Sequence, residues 1–372
     1  LDNMHANTQI PKVIGYQRIA ELAHDMQYHN ASEYFWEIVT RQRSLALGGN
    51  SRREHFPTKE TCIDYVNDID GPETCNTYNM LKLTEDLNRV NHQGMYGDFY
   101  ETAIFNHILS AQHPEHGGYV YFTSARPRHY RNYSAPNKAM WCCVGTGMED
   151  HGKYGQFIWT HDKGMKTEDD ALYVNLFVAS ELNWKERKMV LRQQTAFPYA
   201  ETSNIEVTKG KGVFTLKIRK PLWCDNFTVK GVGFVVDCYE ENGFVCIKRK
   251  WKKGDQVEIS MPMHASIKPM INVPQYVAIM YGPILLGMKS GTEDMRSLIA
   301  DDSRFGQYAA GMKLPLDKAP ILLPKHLNDI AKDLKPIPDK PLHFKLATHM
   351  ENVINGELQP FFEIHDSRYM MY

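Results

Sequence analysis

The stretch NKAMWCCVGTGMED places Cys142 and Cys143 side by side, after Trp141 and before Gly145 and Gly147. A second stretch, GPETCNTYNM, offers Glu73 and Cys75. Thiolates together with a carboxylate are a donor set that suits tetrahedral zinc. Residues two apart do not share a helix face, so Glu73 and Cys75 require the loop or first-turn geometry that Pro72 suggests. Adjacent cysteines reach one ion only from a turn, which is expected at Gly145 and Gly147. The KETC segment, Glu60 to Cys62, is a competing copy of the first motif. Two other readings stay open: buried inert thiols, and a redox pair, although no C-x-x-C near a βαβ pattern is present. If a metal binds, a closed structural centre is the usual outcome for a cysteine-rich zinc site.

The remaining cysteines do not extend this chemistry. Seven cysteines at irregular spacing are not a disulfide framework. Cys238 and Cys246 flank an Asn242-Gly243 turn, and the expected register sets Cys238 opposite Ile247, so the two thiols face opposite ways. Lys plus Arg number 43 and Asp plus Glu 44 among 372 residues, for a net charge of -1. That balance gives no electrostatic footprint for nucleic acid or an anionic membrane surface. No run of about 18 apolar residues could form a membrane-spanning helix. The opening LDNMHANTQIPK has neither a basic nor an apolar leader region, so no targeting signal is legible.

The elements that must position these residues change period along the chain. VIGYQRIAELAHDMQY carries helical spacing at Ile14, Ile19, Leu22 and Met26. SEYFWEIVTRQ follows, with Ser32 as its expected N-cap, and PETCNTYNMLKLTEDLNRV, GDFYETAIFNHILSAQ and GTGMEDHGKYGQFIW complete a helical set. From about residue 170, segments such as SNIEVTKGKGVFTLKIRKPLW alternate with Gly, Asn and Asp turns, as a β-sandwich requires. The expected organisation is a helical domain over 1–164, a β-sandwich over 165–267 and a C-terminal β-rich domain over 268–372.

HANTQIPK, REHF, PETCNTYNMLKLT, YETAIFNHIL and WCCVGTG, in this order, resemble the family 127 and family 146 glycoside hydrolases, the β-L-arabinofuranosidases. The resemblance runs to FFEIHDSRYMMY at the C-terminus. It implies the C-terminal part of an (α/α)6 barrel followed by β-sandwich domains, with the first barrel helices lacking. It also implies a retaining exo-glycosidase acting on an oligosaccharide or glycan, with zinc as cofactor. Carried over residue by residue, Cys142 matches the nucleophile; Glu73, Cys75 and Cys143 match the other zinc ligands; and Glu54 matches the general acid/base, with Glu60 as its alternative. His5, Glu101 and Tyr121 fall where the family contacts the sugar.

Each of these residues has a plainer reading. Glu54 beside Arg52, Arg53 and His55 reads equally as an ion-paired surface residue, and His5 as a polar contact near a chain end. Glu101 reads as the polar face of an amphipathic helix, Tyr121 as strand packing, and Trp141 as core or as a sugar platform. The alternative for the whole chain is a non-catalytic, zinc-stabilised carbohydrate-binding or scaffold protein.

Overall fold

The computed structural model describes residues 1–303, 305–327 and 329–372. Its contacts divide the chain into two compact units. One contains Leu1–Val90, Thr102–His151 and Ala265–Tyr372; the other contains Asn91–Glu101 and Gly152–His264.

The first unit is built on helices α1 (Ala6–Ala23), α2 (Met26–Gln42), the single turn α3 (Asp64–Asn67) and α4 (Thr74–Val90). Helix α5 (Gly94–Ala103), which belongs to the second unit up to Glu101, runs into a π-helical segment, Ile104–Ile108, and α6 covers Cys142–Lys153, in the first unit up to His151. Helix α1 packs on both α2 and α4, but not through the face its apolar spacing suggests. The buried stripe is Ile10, Val13, Gln17 and Ala20, whereas Ile19, Leu22 and Met26 are exposed. The displacement centres on Gln17, which is drawn inward by its bonds to the Asp86 carbonyl and the His29 ring. Helix α2 likewise starts before the expected cap. Asp25 caps it by accepting from the Gln27 N–H, a contact of about 1 kcal/mol. Ser32 lies inside the helix, donating to the Tyr28 carbonyl.

The C-terminal part of this unit is a sheet that opens with three antiparallel strands, β11 to β13 in chain order after the ten of the second unit: Ala265–Met270, Val273–Tyr281 and Ile284–Lys289. The last short strand, Tyr369–Met370, pairs back onto Ile284–Lys289. One apolar core joins this sheet to the helical segment, with Leu45, Leu47 and Tyr65 packed among Met280, Phe361 and Tyr369. Burial of side chains this size is worth about 1.5–3 kcal/mol each.

The second unit is a β-sandwich of two five-stranded sheets. One contains β1 (Trp159–Asp162), β2 (Ala171–Val174), β6 (Lys211–Arg219), β9 (Phe244–Lys252) and β8 (Tyr239–Glu241). The other contains β3 (Ser180–Trp184), β4 (Met189–Thr195), β5 (Thr202–Lys209), β10 (Gln256–Ser260) and β7 (Thr228–Gly231). Trp184 of one sheet meets Phe214 of the other edge-on at 5.4 Å, and Phe214 lies 5.7 Å from Trp251. The β8–β9 hairpin turns through Asn242 and Gly243, both in the left-handed region, with Tyr239 opposite Cys246. Cys238 lies just outside the paired strand, and both it and Cys246 are free.

Candidate metal centre and active site

Two helix starts in the first unit bring the sulfur-rich motifs together. Glu73 sits just outside α4, in an extended bridge to Phe122, and Cys75 lies in the first turn. The helix entry is fixed by Thr74, whose N–H and hydroxyl bond the carbonyls of Tyr121 and Val120. The expected turn at Gly145 and Gly147 does not form, because Cys142 and Cys143 open α6 itself. Gly147 has a different role: a Cβ there would lie 2.4 Å from the Tyr119 ring, so its absence lets the helix lie against the Tyr119 segment. Helix N-termini favour negative charge, and both donor pairs occupy one.

The ligand atoms of Glu73, Cys75, Cys142 and Cys143 all lie within 4.8 Å of one another. Cys75 Sγ is 3.3 Å from Cys143 Sγ; Cys142 Sγ is 3.5 Å from Glu73 Oε1; and Cys143 Sγ is 3.9 Å from the same oxygen. Thr146, one turn into α6, brings its hydroxyl within 3.3 Å of Cys75 Sγ. Glu73, Cys75 and Cys143 are buried, while Cys142 is exposed. Glu73 Oε2 is buried with no hydrogen-bond partner, a costly state for a carboxylate oxygen. That orphan oxygen, the converging sulfurs and their burial fit a metal ion. Among the described residues this is the single group of its kind. Cys62, from the competing motif, lies in the apolar core, and Glu60 is exposed on a 3-10 turn.

The electrostatics show how much charge the cluster tolerates alone. Burial, followed by the negative Cys142 sulfur and Glu54, pushes the Glu73 carboxyl up to about 9. Burial likewise raises Cys143, and the bond to Cys142 raises Cys75. Cys142 is held down to about 2, first by the hydrogen bond from Cys143 and then by that from Cys75. Without a cation, one thiolate survives and the other three donors keep their protons. A bound dication would reverse that balance.

Around Cys142 stand three more of the residues singled out from the sequence. The Tyr121 hydroxyl lies 3.7 Å from Cys142 Sγ and donates to Glu54 Oε1. His5 Nε2 lies 3.7 Å from Glu54 Oε2. Because one hydroxyl spans them, the Cys142 sulfur and the nearer Glu54 oxygen are no more than about 6.5 Å apart, a normal hydrogen bond added to 3.7 Å. Glu54 is not paired with its neighbours in sequence. Arg52 bonds Asp64 and Asp68, and Arg53 reaches Asp68 and Asp70. The loop that carries Glu54 is backbone-strained: Ser51, Arg53 and Glu54 have φ of 78°, 48° and 68°, each costing about 1 kcal/mol or more. It is held by the Arg–Asp pairs, by Asn76 donating to Ser51, and by the Ala6 N–H donating to the Glu54 carbonyl at 2.8 Å. Upstream, a Cβ on Gly49 would meet the buried His107 ring at 2.7 Å, so glycine is required for that approach. These anchoring aspartates were missed from the sequence, though the acidic run NDID soon after SRRE was the available signal.

Glu101 has other partners. Within the second unit, its oxygens accept from Arg219 at 2.6 Å and from the Trp223 indole at 2.9 Å. Trp141 is core, packed with Tyr121, Phe122 and Cys143. A cavity of about 480 Å³ in the first unit, lined by Tyr276, Leu316, Leu322 and Tyr372, includes none of these site residues.

Comparison with known proteins agrees with the motifs. Residues 1–156 match the catalytic-domain model of the GH127 β-L-arabinofuranosidases, 171–263 match the middle domain of the same family, and 266–372 match a domain of unknown function. No curated protein matches the sequence. Among solved structures, a GH127 β-arabinofuranosidase is similar at 22% identity and a TM-score of 0.65, over 77% of this chain and 48% of that one. A GH127 β-L-arabinofuranosidase from Geobacillus stearothermophilus T6 is similar at 19% identity and a TM-score of 0.69, over 99% of this chain and 60% of its own. A third, described as a glycoside hydrolase, is similar at 17% identity and a TM-score of 0.72, over 99% and 65%. The chain thus spans about half to two thirds of the length of these structures, with which it shares its fold. With two of its domains matched in order, and its cysteine and glutamate motifs gathered at one place, the chain belongs to the GH127 β-L-arabinofuranosidase family.

Proposed function

We propose that the protein is a retaining exo-glycosidase that releases β-L-arabinofuranose from plant-type glycans, with Cys142 as nucleophile and Glu54 as general acid/base. Zinc is the metal that suits the donor set of Glu73, Cys75, Cys142 and Cys143. When bound, it would keep the sulfurs deprotonated and make the Cys142 thiolate a better leaving group.

The observation that carries this reading is the exposure of Cys142 beside Glu54, while the other three donors are buried. A purely structural centre has no need to present one sulfur outward opposite a carboxylate. A retaining hydrolase needs a nucleophile on one face of the sugar and an acid on the other, at close spacing. The Cys142 thiolate attacks the anomeric carbon while Glu54 gives its proton to the departing glycosidic oxygen, leaving a glycosyl–cysteine thioether. Glu54, now a carboxylate, takes a proton from water. That water attacks the anomeric carbon, the C–S bond breaks, and the electron pair returns to Cys142. Tyr121 orients Glu54 through its hydroxyl, and His5 lies on the other carboxylate oxygen.

The test is turnover of a chromogenic β-L-arabinofuranoside by the zinc-loaded protein, with a mechanism-based arabinofuranosyl inactivator as covalent probe. The expected outcome is hydrolysis and one adduct mapped to Cys142. Undiminished turnover by Cys142→Ala would contradict the assignment.

A further inference from the structure

The segment matched only as a domain of unknown function reaches the site through residues 298–303 and 305–308. The Tyr133 N–H donates to the Leu298 carbonyl and the Ala300 N–H to the Tyr133 carbonyl, both at 2.8 Å, and Asn132 Nδ2 bonds the Gly306 carbonyl at 2.8 Å. Ala300 is buried in the same apolar cluster as Cys75, Trp141 and Cys143. These residues are therefore tied to the floor of the metal centre. Among them Tyr308 emerges 41% exposed, with its ring 5.6 Å from Phe122. Phe122 in turn packs 4.5 Å from Tyr121, whose hydroxyl holds Glu54. This is a ladder of rings leading from the buried Tyr121 outward to Tyr308.

We propose that this C-terminal domain supplies one wall of the sugar site and that Tyr308 is its contact to the leaving-group side of the glycan. The inference rests on Glu54 being the acid that protonates that leaving group. Burial raises the Tyr308 phenol, with further upward contributions from the negative charges of Asp70 and Glu54. The ring contacts from Tyr308 through Phe122 to Tyr121, whose hydroxyl bonds Glu54, set it on the Glu54 side of the site. A half-exposed tyrosine there offers what a sugar ring needs, an apolar face and a polar tip. A small aglycone would not reach such a platform, whereas a second sugar would.

The experiment compares wild type, Tyr308→Ala and Tyr308→Phe, all zinc-loaded, on methyl β-L-arabinofuranoside and on a β-L-arabinofuranosyl disaccharide. Binding of the disaccharide is measured separately by saturation-transfer NMR. Tyr308→Ala should lower kcat/KM on the disaccharide about tenfold, the upper range for one aromatic contact, chiefly through KM. It should cost little on the methyl glycoside, and Tyr308→Phe should keep most of the disaccharide activity. Equal losses on both substrates, or none on either, would overturn the proposal. If wild type binds the disaccharide without turnover and Tyr308→Ala weakens that binding, the catalytic assignment falls while the wall stands. If wild type binds no sugar, both fall. Tyr308 is partly exposed, so the variants should fold, and their zinc content and melting temperature check this.

Discussion

The Asp98–Glu101–Arg219 network of the second unit and the Glu73–Cys75–Cys142–Cys143 cluster of the first both bury ionisable groups, but only the network carries its own cation. Arg219 is fully buried, bonds both carboxylates at 2.6 Å and keeps its charge, lying 5.3 Å from the Phe177 ring. Even so, burial raises Asp98 to about 6. In the cluster no arginine or lysine is among the described partners, and Glu73 rises to about 9 with one oxygen unpaired. The difference is what a protein leaves undone when the neutralising charge is to come from outside. Desolvation without compensation is expensive, so a buried donor cluster that lacks a cation of its own fits a metal site, where a compensated network fits architecture.

Four results would sharpen or break this comparison. The largest concerns Cys142: replacement by alanine should lower turnover on the order of 10⁶-fold, the scale of nucleophile deletions, with the fold retained by circular dichroism. In the network the corresponding lesion is Arg219→Met, which leaves Asp98 and Glu101 buried without their cation. It should cost about 3–5 kcal/mol of stability, read as a lower denaturant midpoint, with no effect on zinc content. Tyr121→Phe should lower kcat about 10- to 100-fold at unchanged zinc content, the worth of one hydrogen bond to a charged group. Smallest is a proton count. Glu73, Cys75 and Cys143 hold their protons at neutral pH in the metal-free cluster, so zinc uptake near pH 7 should release about three. Protons compete with the metal for these donors. Apparent zinc affinity therefore rises with pH and keeps rising above about 9, where Glu73 loses its proton while Cys75 and Cys143 still hold theirs. Titration calorimetry in buffers of different ionisation enthalpy measures both.

The sequence made the candidate metal donors legible because cysteine and glutamate carry their chemistry in their type, and two short motifs contain all four. Their exact presentation was not legible: that Cys142 and Cys143 open a helix depends on Gly147 meeting Tyr119, a contact between residues 28 apart. Glu54 looked like an ion-paired surface residue because its charged neighbours were visible and the aspartates that claim them were not. The partners of Glu101 were no more legible, since Arg219 lies 118 residues away and gives no local sign. The helices and the sandwich were readable from their periods, but the buried face of α1 was not. It turns on Gln17, a polar residue made internal by long-range bonds to Asp86 and by His29.

The most direct test is elemental analysis of freshly purified, reduced, folded protein, with Cys75→Ser alongside. About one zinc per chain in the wild type, weakened or lost in the variant, is the predicted result. A folded wild-type protein that retains no zinc, and takes up none when it is supplied, would contradict the metal centre and the thiolate mechanism built on it.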